Sequence, residues 1–344
     1  MLVLLAAGCK LLLGDPDRII ALEIVGPTSY TVSAGDTLHL RARARAANGD
    51  TVVGALIQWA VLDTGTVRIA LDPAIGIIVP ESVGTWRVQA SVEDIRSDPI
   101  EITVQPAAAA SLSIAGLGDP ITAGTAASVT ATALDAFGNL ATGYTGTVHF
   151  TSTDGAATVP TDYTFTPGAA GAHTFAGGVT LRTAGQQTVT ATDLADATIT
   201  GSQPGIAVQP GAAASLMVAG IPDPIVAGTA ASVTVTAHDA FANVATGYTG
   251  SVQFTSTDNA ATLPVDYTFT GGDAGVHLFT SAVTLRTAGE QSVTARDLAN
   301  GTITGSHSAI TVTAQTGAAV RGPGSGSIRS VLGSRTPDLG SRAP

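Results

Sequence analysis

Cysteine is nearly absent: Cys9 is the only one in 344 residues. An intrachain disulfide is therefore excluded, and no zinc site can be assembled from several thiolates. Lysine is just as scarce, with Lys10 alone, so every other basic side chain is arginine. Aromatic residues make up 4% of the chain, which argues against an array of sugar-stacking platforms. The long polar residues that populate amphipathic helices are few, so extended helices at a 3.6-residue period are not expected. The one apolar run, at the start, is broken by Lys10 and Asp15 well short of the roughly 20 residues a membrane-spanning helix needs. Also missing are the G-x-S-x-G elbow, the H-E-x-x-H zinc motif and the G-x-x-x-x-G-K-[ST] phosphate loop. The chain is expected not to be an enzyme, to use no cofactor and to hold no catalytic or metal site.

What is present is glycine, alanine, threonine and valine, with Thr/Val alternation throughout, and this favours strands. The formal charge is −11. Residues 107–209 carry six Asp and one Arg, and residues 211–313 carry seven acids and two Arg, so each stretch has a net charge of −5. From Thr316 onward there are four Arg and one Asp, a net +3. An acidic body repels phosphate backbones, so no nucleic-acid partner is expected.

The chain opens Met1-Leu-Val-Leu-Leu-Ala-Ala-Gly-Cys9. A short apolar run, small residues and then cysteine resemble the end of a bacterial lipoprotein signal peptide, with Leu5-Ala6-Ala7-Gly8-Cys9 as its lipobox. Small side chains at Ala7 and Gly8 let a peptidase accommodate the backbone beside the cut. The Cys9 thiol would receive the diacylglycerol that anchors the mature chain. No Arg or Lys precedes the run, the run is short, and Ala6 replaces the usual bulkier aliphatic residue. An upstream start would supply the first two features. The alternative is an apolar N-terminus with an incidental cysteine; lipidation of Cys9 is the expectation.

Internal repetition is the strongest signal. A shift of 104 residues (210 − 106) maps Pro106 onto Pro210, Phe137 onto Phe241, Pro160 onto Pro264 and Gly201 onto Gly305 without a gap. Residues 107–209 and 211–313 agree at roughly 70% of positions, and the unit is too long for a solenoid repeat, so a whole domain is duplicated. Each copy holds short alternating runs, such as Val129, Ala131 and Ala133 facing one way with Thr130 and Thr132 facing the other. Turn clusters such as Asp135-Ala-Phe-Gly-Asn139 and Thr142-Gly-Tyr-Thr-Gly146 separate them, the pattern of an antiparallel sandwich. The eight phenylalanines form four matched pairs (137/241, 150/254, 165/269, 175/279), and most are expected in the cores.

Residues 18–105 form a different unit. Leu38, Leu40, Ala42, Ala44 and Ala46 alternate with His39, Arg41, Arg43 and Arg45, and Asn48-Gly49 marks a tight turn. Trp59 and Trp86, each in an alternating run, are expected to pack across two sheets.

The segment 19–104, with ALEIVGPTSYTVSAGDTLHLRARARAANGD, IQWAVLD and VGTWRVQASV, resembles bacterial Ig-like domains of the group 2 type. The repeats, with SVTATALDAFGNLATGYTGTVHFTSTD and LRTAGQQTVTATD, are similar to the Ig-like modules of bacterial surface proteins and of invasin- and intimin-type adhesins. The resemblance implies an all-β fold of three tandem immunoglobulin-like β-sandwich domains. The expected order is an anchor segment over 1–17, a first Ig-like domain over 18–105, one repeat over 106–209, a second over 210–315, and a disordered C-terminal tail over 316–344. Short Gln-Pro linkers restrict domain swing, so a semi-rigid rod is expected.

Several residues invite a chemical role. His173 and His277 match between repeats, but neither has a Cys or second His nearby in sequence, and a surface-strand role is expected. Asp135 with Asn139, and Asp239 with Asn243, either form Asx-turns or hold calcium. One carboxylate per loop is too few for calcium above the millimolar range, and Asx-turns are the expectation. Asp154/Asp258, Asp162/Asp266 and Asp193/Asp297 also pair between repeats. Tyr144 and Tyr248 either stack on a sugar ring or pack over the sandwich end, and packing is the expectation. The Arg41-Arg43-Arg45 stripe either meets an anionic polymer or is a solvated face that discourages edge pairing.

The implied function is that of a non-catalytic cell-envelope protein. It would be extracytoplasmic, anchored to the outer membrane or cell surface through Cys9, and would serve in spacing, display or adhesion to an envelope or surface protein or glycan. The alternatives are a carbohydrate-binding array and an ancillary fragment of a larger exported enzyme.

Overall fold

A computed structural model describes residues 17–63 and 68–315. The expectations for Cys9 and for residues 316–344 lie outside the described residues. Within the described residues every regular element is a strand, apart from the short 3-10 turns Pro167–Ala169 and Gly271–Asp273. No helix among the described residues is long and apolar enough to cross a membrane.

The chain divides into two compact units. Among the described residues, the first holds those up to Ser215 together with Ala237–Thr249 and Thr270–Val276; the second holds Leu216–Thr236, Gly250–Phe269 and residues 277–315.

The first repeat is a two-sheet sandwich. One sheet orders Ala109–Ala115, Ala126–Asp135 and Ala172–Thr180. The other orders Ile121–Thr122, Thr200–Gln209, Gly185–Asp193, Thr147–Ser152 and Tyr163–Thr164. All pairs are antiparallel except Ile121–Thr122 with Thr200–Gln209, which is parallel. Along Ala126–Asp135 the residues Val129, Ala131, Ala133 and Asp135 are buried while Thr130 and Thr132 are half-buried on the other face. The period-2 pattern thus sets which side of the strand faces the core.

The core is built from small residues around a few large ones. Val129, Ala131, Val148, Val179, Leu181, Val189 and Ala191 have no solvent exposure. Phe150 and Phe165 supply the bulk, and Phe150 meets Phe175 edge-to-face at 4.9 Å. Burying each such ring stabilises by roughly 1.5–3 kcal/mol. Small residues let the sheets come close: a side chain on Gly201 would collide with the Leu112 carbonyl, and one on Gly305 with that of Leu216.

The second repeat has the same order. Its five-stranded sheet runs Ile225–Val226, Thr304–Thr313, Gly289–Asp297, Ser251–Ser256, Tyr267–Thr268. Its three-stranded sheet runs Ser215–Ala219, Ala230–His238, Val276–Thr284.

The first domain differs. Its alternating stretch from Leu38 to Ala46 is two strands: Leu38–His39 pairs with Ile77–Pro80, and Ala42–Ala46 pairs with Ile19–Ile24. The chain changes sheets at Leu40, whose amide binds the Gly76 carbonyl at 2.8 Å. Trp59 and Trp86 do not face each other across two sheets. Their strands belong to one sheet, with Trp59 opposite Ala90 and Trp86 opposite Ile102. Trp59 is buried, whereas Trp86 packs at the margin of the same core.

Candidate functional site

The residues that sequence reading marked for chemistry converge on the turns rather than on a cleft. Asp135 ends its strand facing inward, where the alternation calls for a buried side chain, and its carboxylate is used up locally. Oδ1 accepts from the amides of Phe137 at 2.9 Å and Asn139 at 2.8 Å; Oδ2 accepts from the amide of Ala107 at 3.1 Å and from Asn139 Nδ2 at 2.9 Å. Burial alone would raise the pKa of Asp135, but these hydrogen bonds, led by the Asn139 side chain, outweigh it and hold the pKa below the ordinary aspartate value. The loop is an Asx-turn, and every strong acceptor position of its carboxylate already has an N–H donor.

With Asp135 fixing the turn, Phe137 and Asn139 project onto the first domain. Phe137 joins the hydrophobic core cluster of that domain. It lies where a Cβ on Gly35 would stand, 2.7 Å from the ring, and Gly35 has φ +86. Glycine is thus required there twice, for conformation and for room. Asn139 Nδ2 donates to the Glu81 carbonyl at 2.7 Å, and its Oδ1 accepts from the Val83 amide at 3.4 Å. Arg68 Nη2 donates to the Phe137 carbonyl.

The second repeat's loop does the same to the first repeat. Asp239 accepts from the amides of Phe241, Asn243 and Gly211 at 2.8, 2.9 and 2.9 Å. Phe241 lies against Gly124, φ +82, and under the Arg182 guanidinium, 5.9 Å from the ring centroid. Asn243 Nδ2 donates to the Arg182 carbonyl at 2.7 Å, and its Oδ1 accepts from the Ala184 amide at 2.8 Å.

A second buried aspartate shapes the receiving turn. Asp154 accepts from the Arg182 amide at 2.5 Å, the Thr183 amide at 2.9 Å, Thr183 Oγ1 at 2.6 Å and the Ala156 amide at 2.9 Å. Asp258 repeats this with Arg286, Thr287 and Ala260. Burial again opposes ionisation, yet the bonds from Thr287, Arg286 and Ala260 bring the pKa of Asp258 down to about 2. A third, Asp193, accepts from the Tyr144 hydroxyl and from the amides of Ala195 and Asp196.

The remaining candidates are brought to no common centre. Tyr144 and Tyr248 are buried, so neither ring presents a face for a sugar. His173 stacks on Tyr163 at 4.0 Å and His277 on Tyr267 at 3.8 Å. Asp162 pairs with His149 at 2.6 Å, both side chains exposed, with His149 on the outer face of strand Thr147–Ser152. In the arginine stripe, Arg45 pairs with Glu23 at 3.0 Å, and Arg43 lies opposite Glu23 in the ladder. Among the described residues no three His, Cys, Asp or Glu side chains are grouped to hold a metal.

Sequence reading missed the partners of the Phe-Asn turn. Most phenylalanines are in cores, as expected, with Phe150, Phe165, Phe254, Phe269 and Phe279 buried; Phe241, 39% exposed, serves a junction, and Phe137 does so by packing on the core of the first domain. The available signal was an aromatic residue kept in a polar turn in both repeats, together with the recurrent Ala34-Gly35, Ala123-Gly124 and Ala227-Gly228 dipeptides.

No family model matches the chain, and no curated protein matches it. Solved structures do. The chain resembles bacterial Ig-like surface proteins. The Escherichia coli adhesin FdeC is 20% identical over 86% of this chain and 96% of its own, with a TM-score of 0.36. Yersinia pseudotuberculosis InvD is 16% identical over 83% of this chain and 96% of its own, with a TM-score of 0.35. Domains 1–6 of the surface layer protein SbsC are 16% identical over 89% of this chain, which spans 42% of that one, with a TM-score of 0.27.

Proposed function

We propose that the chain is a non-catalytic structural or adhesion protein of the bacterial cell envelope. It is held outside the cytoplasm by a lipid on Cys9 and uses its Ig-like domains for spacing, display or surface contact. One observation carries this reading: the polar groups that sequence alone offered for chemistry work as turn fasteners. Asp135, Asp154 and Asp193 each accept at least three hydrogen bonds from their own domain, which leaves little of them for a substrate. Domains joined by such turns suit a protein whose task is to hold a position. The membrane is the one partner with a named residue, Cys9; the surface protein or glycan that the domains meet has no residue assigned. The burial of Tyr144 and Tyr248 weighs against the carbohydrate-binding alternative.

Metabolic labelling with a palmitate analogue tests the anchor. The wild-type chain should incorporate label and sediment with membranes, and Cys9→Ser should do neither. Equal labelling of the two would end the lipoprotein reading.

A further inference from the structure

The two filled junctions define a receptor whose third copy lies at the far end of the second repeat. In each filled copy three groups receive the turn: a positive-φ glycine under the phenylalanine (Gly35, Gly124), a backbone carbonyl (Glu81, Arg182) and an amide two residues further on (Val83, Ala184). A shift of 104 residues carries the second set onto Gly228, Arg286 and Ala288. These three line one concavity of about 450 Å³, together with Ala227, Ala314 and Gln315.

The third copy has the same preparation as the filled ones. Gly228 has φ +84, against +82 at Gly124. Asp258 grips the Arg286 and Thr287 amides as Asp154 grips those of Arg182 and Thr183. Arg286 Nη1 is tied to the Ala260 carbonyl at 2.7 Å and Thr262 Oγ1 at 2.8 Å, the arrangement that sets Arg182 over Phe241. Nothing among the described residues stands within 4 Å of a Cβ placed on Gly228, whereas Phe241 meets the Gly124 position.

We propose that this face is a preformed receptor for the Asp-x-Phe-x-Asn turn of a further Ig-like domain. The phenylalanine would lie on Gly228 beneath the Arg286 guanidinium, and the asparagine amide would bridge the Arg286 carbonyl and the Ala288 amide. Residues 316–344 include no aromatic residue and no asparagine, so that stretch does not supply the turn. The first domain of a second copy does not supply it either. Its corresponding loop, placed by the matching ladders of Leu22 with Ala44 and Leu112 with Ala133, reads Ala46-Ala47-Asn48-Gly49-Asp50 and has Asn48 where Phe137 stands. The turns at Asp135 and Asp239 are engaged within their own chain. The occupant is thus an Ig-like domain outside residues 1–344 whose Asp-x-Phe-x-Asn turn is free, and this holds whether or not Cys9 is lipidated.

The test inserts one more repeat after Thr313 of the full chain, once as a copy of residues 210–313 and once as a copy of residues 106–209. Amide hydrogen exchange at Ala288 is then compared with the parent. The rate at Ala288 should slow by about tenfold or more, towards that of Ala184, because the amide acquires an acceptor in a covered site. Phe241→Ala or Asn243→Ala in the added copy of residues 210–313, or Phe137→Ala or Asn139→Ala in the added copy of residues 106–209, should restore the parent rate while the added domain still melts cooperatively. If one insertion fails to fold, the other decides. An unchanged Ala288 rate in the folded insertions, or slowing that survives both substitutions, overturns the proposal.

Discussion

The first domain and the repeats reach the same class of fold with different fasteners. In the first domain the charged groups sit outside: Arg87 pairs with Asp63 at 2.7 Å and Arg45 with Glu23 at 3.0 Å, while Ser97 is the only polar residue among its described ones that is buried. In the repeats the aspartates Asp135, Asp154, Asp193, Asp239, Asp258 and Asp297 are all buried. The contrast shows where a carboxylate matters. On a surface, water competes for the charge and the pair contributes little. Inside, the same group either organises several donors or leaves them unpaired.

The largest effect should come from removing such a fastener. Asp154→Ala strips four donors of their acceptor, and two of these, the amides of Arg182 and Thr183, belong to the turn that receives Asn243. The first repeat should lose about 3 kcal/mol, a fall in melting temperature on the order of 15 °C for a domain of this size. Asp63→Ala in the first domain should leave its melt almost unmoved. Calorimetry on both full-chain variants checks the pair, and equal shifts would abolish the contrast.

A smaller effect should appear with acid. The carboxyls of Asp135, Asp154, Asp193 and Asp239 are held below their ordinary pKa, and that of Asp258 at about 2. The unfolded chain binds protons near pH 4, before the folded one does. The stability these groups contribute is therefore fully present above about pH 4 and is lost as pH falls toward 2. Hydrogen exchange followed across that window should show the repeats losing protection more steeply than strand Ile100–Gln105 of the first domain, whose buried residues are apolar.

Much of this architecture was legible in the sequence, and the parts that were not share a cause. The alternation at Val129, Ala131 and Ala133 identified a strand and its inner face, because a period of two admits no other placement. The Asp-x-x-x-Asn spacing identified the Asx-turn, because that bond is local. The sheet change at Leu40 was not legible, since alternation runs unbroken through it and only the partner strands reveal the switch. Nor was the role of Phe137, since its partner Gly35 lies about 100 residues away and carries no side chain to announce the contact. The function of Asp154 was hidden likewise, because its donors at Arg182 and Thr183 are backbone amides, which every sequence contains.

The central claim is that the Phe-Asn turn of one domain fastens onto a preshaped face of the domain before it. The most direct measurement is amide exchange at Ala184 and Ala288 in the unmodified chain, two positions that share their local sequence Leu-Arg-Thr-Ala-Gly and differ, among the described residues, in one acceptor, Asn243 Oδ1 at 2.8 Å from the Ala184 amide. The account predicts that Ala184 exchanges about tenfold more slowly than Ala288, and that Asn243→Ala brings it up to the Ala288 rate without affecting Ala288. Equal rates at the two amides in the unmodified chain would contradict it.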